Sequence, residues 1–597
     1  MTPPWITRVA TLCAAGHGLD ALAAAVAAGH PLTRPAPWAW EGLTAPRVAR
    51  IPPERFDPPD ERRAEALLDA VVREVLPAGA QGVGLIVGTS SGAICGGFEA
   101  WRRSEGRRGR DGALSTPIGI LGRGGPPPAT PPVFLGQGGP PPATPPGIAP
   151  DFATDVPAWR QLPTRAVAAR HGLGPVLTTS VACASGAMIF VLARAWLRAG
   201  LCERVIVAGV DTLSLYIHAG FAGLGALSPT VCRPFTTRRD GLLLGEGAAA
   251  FLVETPHAAI AAGRTPLATL LGVGMSQDGL HLTAPDRTGD GLYRAAAAAL
   301  SDAGLPAAAV DTVSAHGTGT LHNDAMEARA LSRLFGGLPV PLHLVKPVIG
   351  HTLGAAGALE VAELLALFGG APAPLPPADL AEDCPIQVTP TRAGPHGRPR
   401  LALTVNAAFG GVNVALVLGA GDASSVGRPS ASAAVVLPPR SPPDVHLSGD
   451  HFPLATLLGP EAPAPPTLGR ADTYVRAGIA ALARAHPAPD TPIVLSSESG
   501  CAAADLRYYD GLLRDGPARA SRVHFAYTTP GAPLAEAAIL LHLRGPAIVV
   551  CGTAADGATT ARALVASELA PTLLHLHVEA PATHADSTVT RYSGAPS

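Results

Sequence analysis

Short apolar runs alternate along this chain with longer stretches in which apolar residues recur every three or four positions. GLIVG (84–88) and VIVAGV (205–210) read as buried strands, as do TVSA (312–315), LHLV (342–345), LALTV (401–405) and NVALVL (413–418). Residues 184–199 read as a buried helix closed by Gly200, and helical patterning covers 290–303, 323–335 and 354–368. Strands alternating with helices in this way predict an α/β architecture with both sheet faces covered.

Two stretches break the pattern. GGPPPATPP occurs at 124–132 and again at 138–146, which reads as an extended surface insertion spanning about 104–150. Residues 421–470 are rich in Ala, Ser and Pro and read as a linker. Beyond them, 471–597 regains strand and helix patterning, with IVLSS (493–497) and AIVVCG (547–552) as strands. This last region echoes the first. LIVGTSSGAICGGFEAWRR (85–103) resembles IVLSSESGCAAADLRYYDG (493–511), and VIVAG (205–209) is matched by IVVCG (548–552). On that matching, the counterpart of Cys183 falls between Cys501 and Cys551, where there is no cysteine, so 471–597 reads as a degenerate half-copy without a nucleophile.

Composition narrows the function classes. Hydrophobic residues make up 47% and charged residues 15%, with a formal net charge of −2, which suits a large, well-buried globular enzyme in several domains. No basic surplus or nucleic-acid motif is present, so nucleic acid is not an expected partner. No apolar run has the length of a spanning helix, and MTPPWITRVA does not read as a signal peptide, so a cytoplasmic protein is expected. Eight scattered cysteines without a C-x-x-C pair predict free thiols and no zinc site. One bias is more telling. Of 44 Lys plus Arg, a single residue is lysine, Lys346, and only Asn323, Asn406 and Asn413 are asparagine. Residue types driven so nearly out of a chain survive where nothing substitutes for them, and all four survivors fall within 316–413.

Four motifs carry candidate chemistry. TTSVACASG puts Cys183 between a strand and a helix, where helix N–H groups and the dipole would favour a thiolate or hold an oxyanion. The bland alternative, one more buried structural thiol, weighs about as much on this motif alone. SAHGTGTLHNDAMEARAL (314–331) sets His316 at a strand end before a Gly/Thr loop, with Asn323 and Asp324 as caps of the next helix. In KPVIGHTLGAAGALE (346–360) the single lysine precedes His351 in a turn that opens a helix of small residues. A surface lysine would be expendable among so many arginines, whereas a compact ammonium in a tight site is not. Finally, NAAFGGVN (406–413) is a glycine turn between two strands.

Together with GFAGLGALSP (220–229) and CRPFTTRRDGLLLGEGAAAFLVE (232–254), these motifs resemble, in order over about residues 80–420, those of the elongating β-ketoacyl-acyl carrier protein synthases of the thiolase-like superfamily. The resemblance implies a five-layered αβαβα fold from two similar halves, 1–258 and 259–420, followed by the smaller α/β half-copy. It implies an acyltransferase that condenses an acyl thioester, held on Cys183, with a decarboxylating malonyl-carrier thioester. His316 and His351 would promote decarboxylation, Lys346 with Glu360 would support them, and the backbone N–H groups of Cys183 and Phe409 would hold the oxyanion. Thr318 and Thr320, with Phe409, would contact the phosphopantetheine arm of an acyl carrier protein; no metal or dissociable cofactor is implied. A homodimer, or a heterodimer with another synthase-like chain, is expected. Three other readings compete. A degradative thiolase would carry a second cysteine at the FGG turn, and an initiating synthase would use Cys, His and Asn. A non-catalytic partner resembling a chain-length factor would lack the nucleophile.

Overall fold

The computed structural model describes residues 2–36, 47–58, 62–92, 160–393, 397–421, 423, 445–449, 471–580 and 585–593. The Pro/Gly-rich insertion expected at about 104–150 lies outside these residues. Strands of three residues or more are β1 (Trp5–Cys13), β2 (Val83–Gly88), β3 (Val176–Thr179), β4 (Arg204–Asp211), β5 (Gly247–Glu254), β6 (Ala268–Gln277), β7 (Thr312–Ser314), β8 (Val340–His343), β9 (Leu401–Ala407) and β10 (Val412–Ala420). Beyond the Pro-rich stretch come β11 (Val445–Gly449), β12 (Ile493–Ser497), β13 (Ala547–Cys551), β14 (Thr572–Glu579) and β15 (Ala585–Ser593). The principal helices are α1 (Arg63–Val75), α2 (Leu162–His171), α3 (Ser185–Arg198), α4 (Asp290–Ala303), α5 (Leu321–Leu334), α6 (Ala356–Gly369), α7 (Thr473–Ala485), α8 (Ala502–Asp515), α9 (Ala532–Leu541) and α10 (Ala554–Ala566).

The strands form three sheets of one design. In the first, β2 pairs in parallel with β3 and β4, β4 pairs antiparallel with β5, and β5 antiparallel with β1, giving the order β3-β2-β4-β5-β1. The second repeats this as β8-β7-β9-β10-β6. The third repeats it again as β13-β12-β14-β15-β11. A parallel triplet buried on both faces needs apolar strands, and β2, β4 and β12 are buried at every position or nearly so.

The first two units pack face to face. Helices α3 and α6, buried along almost their whole length, touch each other between the two sheets, with α1 and α2 outside the first sheet and α4 outside the second. These are the five layers αβαβα. Glycine makes the central contact possible, since a Cβ at Gly186 would lie 2.7 Å from the Ala358 amide nitrogen.

The third unit joins the first edge to edge. β13 pairs antiparallel with β3, Val550 opposite Thr179 and Cys551 opposite Thr178. Equivalent edge strands thus meet antiparallel, the arrangement of a two-fold contact between like sheets. Helix α10 packs on α3 across the same junction. Arg160 anchors it, with both guanidinium ends on Asp505 of α8 at 2.8 and 3.3 Å and a further bond to the Thr528 carbonyl, while Tyr216 donates to Asp505 at 2.8 Å. All three side chains are buried, and removing one partner of such an ion pair costs about 3–5 kcal/mol.

Two expectations are corrected by this topology. IVVCG is β13, the counterpart of β3, and not of VIVAG in β4. Both are short apolar strands before a glycine or a helix, so local pattern does not separate them; pairing does. The segment read as a linker at 421–470 contains β11, an edge strand that pairs only with β15 and therefore needs little apolar signal of its own.

Candidate active site

Cys183 sits in the tight turn Ala182–Ala184 between β3 and α3. Ala182 adopts φ 48°, a conformation costing roughly 1–3 kcal/mol for a residue with a Cβ. Ser185 holds the turn: its Oγ accepts from the Val181 N–H at 3.0 Å and donates to the Ala182 carbonyl at 2.7 Å. Burial pushes the Cys183 thiol up to about 12, against the lowering field of Lys346. The thiolate favoured by the helix-terminus argument is therefore not the resting form, because desolvation outweighs the helix and the lysine.

The second unit supplies the other groups. His316 follows β7, and its loop is held from below by two carboxylates of α5. Glu327 accepts from the His316 and Gly317 amides at 2.6 and 2.8 Å, and Asp324 from those of Thr318, Gly319 and Phe235. Burial raises Glu327 to about 8 and Asp324 to about 6. Asp324 therefore serves the loop rather than capping the helix, whose N-cap is Thr320 without a side-chain bond. Thr318 and Thr320 hydroxyls lie 2.9 Å apart. Glu327 carried no motif signal beyond its place after Asp324, and its role was not legible in the sequence.

His316 and His351 meet edge to face, ring centroids 5.4 Å apart. Burial, reinforced by the Lys346 charge, holds both imidazoles well below their usual range, so both are neutral at pH 7. His351 Nδ1 accepts from the Leu353 amide at 3.2 Å, while His316 Nδ1 faces Lys346 Nζ at 3.3 Å and Asn406 Nδ2 at 3.4 Å. With Nδ1 occupied as an acceptor in each ring, the proton resides on Nε2. Lys346 is buried and ion-paired with Glu360, whose other oxygen accepts from Asn406 Nδ2 at 2.7 Å. Phe409 opens the turn Phe409–Gly411 between β9 and β10, its ring stacked on Phe221 at 5.5 Å. The Cys183 turn packs against both the Leu353–Ala355 and Phe409–Gly411 turns, so the sequence-identified groups gather at one place between the first two units.

The third unit reaches this place too. Val549 of β13 accepts from the Ser180 amide at 3.2 Å and the Thr179 hydroxyl at 2.7 Å, just ahead of Cys183. A small cavity is lined by Val181, Ala182 and Phe409 on one side and Thr529, Leu534 and Ala535 on the other.

The repeat also locates what stands at the Cys183 position elsewhere. Each strand-to-helix turn carries a glycine three residues on: Cys183 with Gly186, Gly354 with Gly357, Ala554 with Gly557. ACASGAM, LGAAGAL and TAADGAT show this in the sequence once the strands are aligned. The first two turns match in strain as well, Leu353 having φ 56° where Ala182 has 48°, whereas Thr553 in the third has φ −67°. Ala554, just beyond Cys551, therefore occupies the third unit's equivalent of the Cys183 position. Among the described residues no three His, Cys, Asp or Glu side chains are placed to hold a metal ion, and no helix is long and apolar enough to cross a membrane.

The chain is similar to known proteins over its first two units. Models of the beta-ketoacyl synthase N-terminal and C-terminal domains match residues 160–259 and 267–372. A 3-oxoacyl-[acyl-carrier-protein] synthase 2 of Mycobacterium tuberculosis is 36% identical over 278 residues, covering 44% of this chain; the chain spans 66% of that protein's length. The ishigamide ketosynthase/chain length factor structure is 27% identical with a TM-score of 0.57, covering 70% of this chain and all of that one. A PfaC keto synthase–chain length factor structure, 16% identical, shares the fold over 99% of this chain and 78% of its own, with a TM-score of 0.73.

Proposed function

The chain belongs to the β-ketoacyl synthases of thiolase-like fold, and from that premise we propose that it catalyses decarboxylative Claisen condensation of an acyl thioester with a malonyl-carrier thioester. The observation that carries this reading is the pair of neutral imidazoles, His316 and His351, each with its Nδ1 engaged and an Nε2–H free to donate. Such a pair stabilises the negative charge that develops on a thioester oxygen as carbon dioxide leaves.

In the first half-reaction the Cys183 sulfur displaces the pantetheine thiol from the acyl carrier thioester, and the cysteine proton leaves with that thiol. In the second, the malonyl carboxylate departs as carbon dioxide, and its electron pair becomes an enolate held by His316 and His351. The enolate carbon attacks the acyl-Cys183 carbonyl, whose oxyanion meets the amides of Cys183 and Phe409. The Cys183 thiolate then leaves, takes a proton and returns to the buried thiol. Lys346, paired with Glu360, supplies a fixed positive field beside His316. Thr318 and Thr320 offer hydroxyls to the pantetheine arm, which belongs to the carrier substrate.

The third unit is read as a built-in partner subunit. Its β13 occupies the β3 edge, where a second copy of the first unit would pair, and its Thr529, Leu534 and Ala535 close the cavity beside Phe409 into which the acyl chain would run. The test is release of carbon dioxide and formation of a 3-ketoacyl product from acyl- and malonyl-carrier proteins. Wild type is expected to give both, with His316→Ala and His351→Ala losing decarboxylation. No product and no acyl-enzyme from any donor would favour the non-catalytic partner reading.

A further inference from the structure

The three-fold repetition of one sheet assigns a function to a residue that the steps proposed above do not use. At the end of the third parallel strand each unit carries one buried or half-buried polar side chain: Asp211 in β4, Asn406 in β9 and Glu579 in β14. In the first unit Asp211 accepts from the Ser90 and Ser91 amides at 2.8 and 3.1 Å and from the Gly354 amide at 2.6 Å. In the third, Glu579 accepts from the Glu498 and Ser499 amides at 2.5 and 3.1 Å. The shared task is to hold the loop that follows the first parallel strand.

In the second unit that loop carries His316, and its amides are already taken by Glu327. The residue at the repeated position has changed from an acceptor to an amide donor, and it is one of only three asparagines in the chain. Asn406 is fully buried, and its Nδ2 faces both Glu360 Oε2 at 2.7 Å and His316 Nδ1 at 3.4 Å. Its Oδ1 has no hydrogen-bond partner among the described residues and lies against α6, where a Cβ on Gly357 would come within 2.7 Å of it. Rotating the amide would turn that oxygen onto the Glu360 carboxylate, so one orientation is enforced. An orphaned carbonyl oxygen in a buried site costs free energy, and the unit tolerates it to keep the amide N–H group where it is.

We propose that Asn406 is the positioning residue of the decarboxylation half-reaction: it pins Glu360, and through Glu360 the Lys346 ammonium, while holding His316 in the tautomer whose Nε2–H faces the substrate. This rests on the function proposed above. Aspartate has the same shape but would set a second carboxylate against Glu360, which explains why the acidic residue of the other two units is not used here.

The experiment measures two steps separately in the full chain, for wild type, Asn406→Ala and the isosteric Asn406→Asp. Acyl transfer to Cys183 is read by intact mass, and decarboxylation by carbon dioxide release from a malonyl-pantetheine thioester. Both variants are expected to lose at least about tenfold in decarboxylation and less than about threefold in acyl transfer. In Asn406→Asp the acidic limb of the decarboxylation rate moves to higher pH, because the two carboxylates share a proton. Equal losses in both steps with an unmoved pH profile would overturn the proposal, as that is what general loosening of the core produces. If the wild type neither acylates nor decarboxylates, the functional reading fails on its own. The positioning claim is then decided by the imidazole 15N shifts of His316, which report an Nε2–H tautomer in wild type and a mixture in Asn406→Ala. Identical shifts in both would overturn it.

Discussion

The first and third units are built on the same five strands in the same order, yet only the first carries a cysteine at the turn into the helix, Cys183 where the third has Ala554. In the first, the turn after β3 is strained at Ala182 and delivers Cys183 against the second unit. In the third, the turn after β13 begins with Thr553, whose hydroxyl and Asp556 form a capping box on α10, an ordinary helix start. One sheet design thus serves chemistry or plain packing according to what fills a single turn and whether a second unit faces it. The proposed chemistry needs two units; among the described residues the third unit has no facing sheet of its own and no paired imidazoles at its turn.

The comparison predicts effects of graded size. Replacing His316 or His351 by alanine should lower condensation by about 10²–10⁴-fold while the third unit is untouched, as assayed by 3-ketoacyl product formation. A loss of less than tenfold would mean that the facing unit is not what distinguishes the two turns. Next in size is the junction. Asp505→Ala leaves Arg160 buried without its partner and should destabilise docking of the third unit by about 3–5 kcal/mol, seen as an earlier, separate unfolding transition in calorimetry. A single unshifted transition would show that β13 and α10 alone hold the units together.

Acid should distinguish them more gently. Burial lowers His575 to about 3 and also lowers its neighbour His577; both rings contact Ser496 in the core of the third unit. A histidine depressed in the folded state contributes stability above its ordinary value near 6.5, and that stability is lost as pH falls. Protection of the β14 amides against hydrogen exchange should therefore decline below about pH 6.5, by about 1 kcal/mol per unit. His575→Asn, which cannot titrate, should flatten the decline. The smallest effect is expected of Ala554→Cys: a thiol at the third unit's turn, with no imidazole pair opposite, should leave stability within about 0.5 kcal/mol and should not be acylated. Acylation there would collapse the distinction between the units.

Much of the first two units was legible in the chain itself. The pattern placed a helix at 290–303, where α4 lies, and a strand at 84–88, within β2. Lys346 stood out as the single lysine of the chain, and Cys183, His316, His351 and Phe409 as candidates because each lies at a strand end or beside a glycine turn. The third unit was harder. Two of its strands, IVLSS and AIVVC, were visible but their places in the sheet were not, since IVVCG resembles the apolar run VIVAG of β4 more than VLTT of β3, and only the hydrogen-bonded strand order puts β13 at the position of β3. Edge strand β11 hid in Ala/Ser/Pro-rich sequence for the same reason. Glu327 and the buried state of Cys183 were also beyond reach, because desolvation depends on what packs around a group and not on its neighbours in sequence.

The central claim is that Cys183, and no other thiol of the chain, accepts the acyl group. Intact mass and peptide mapping after incubation with a panel of acyl-carrier thioesters test it directly, with Cys183→Ala in parallel. A single acyl addition on the Cys183 peptide of wild type, absent from the folded variant, is the predicted result. Acylation that persists in Cys183→Ala, or maps to Cys501 or Cys551 in the third unit, would contradict it.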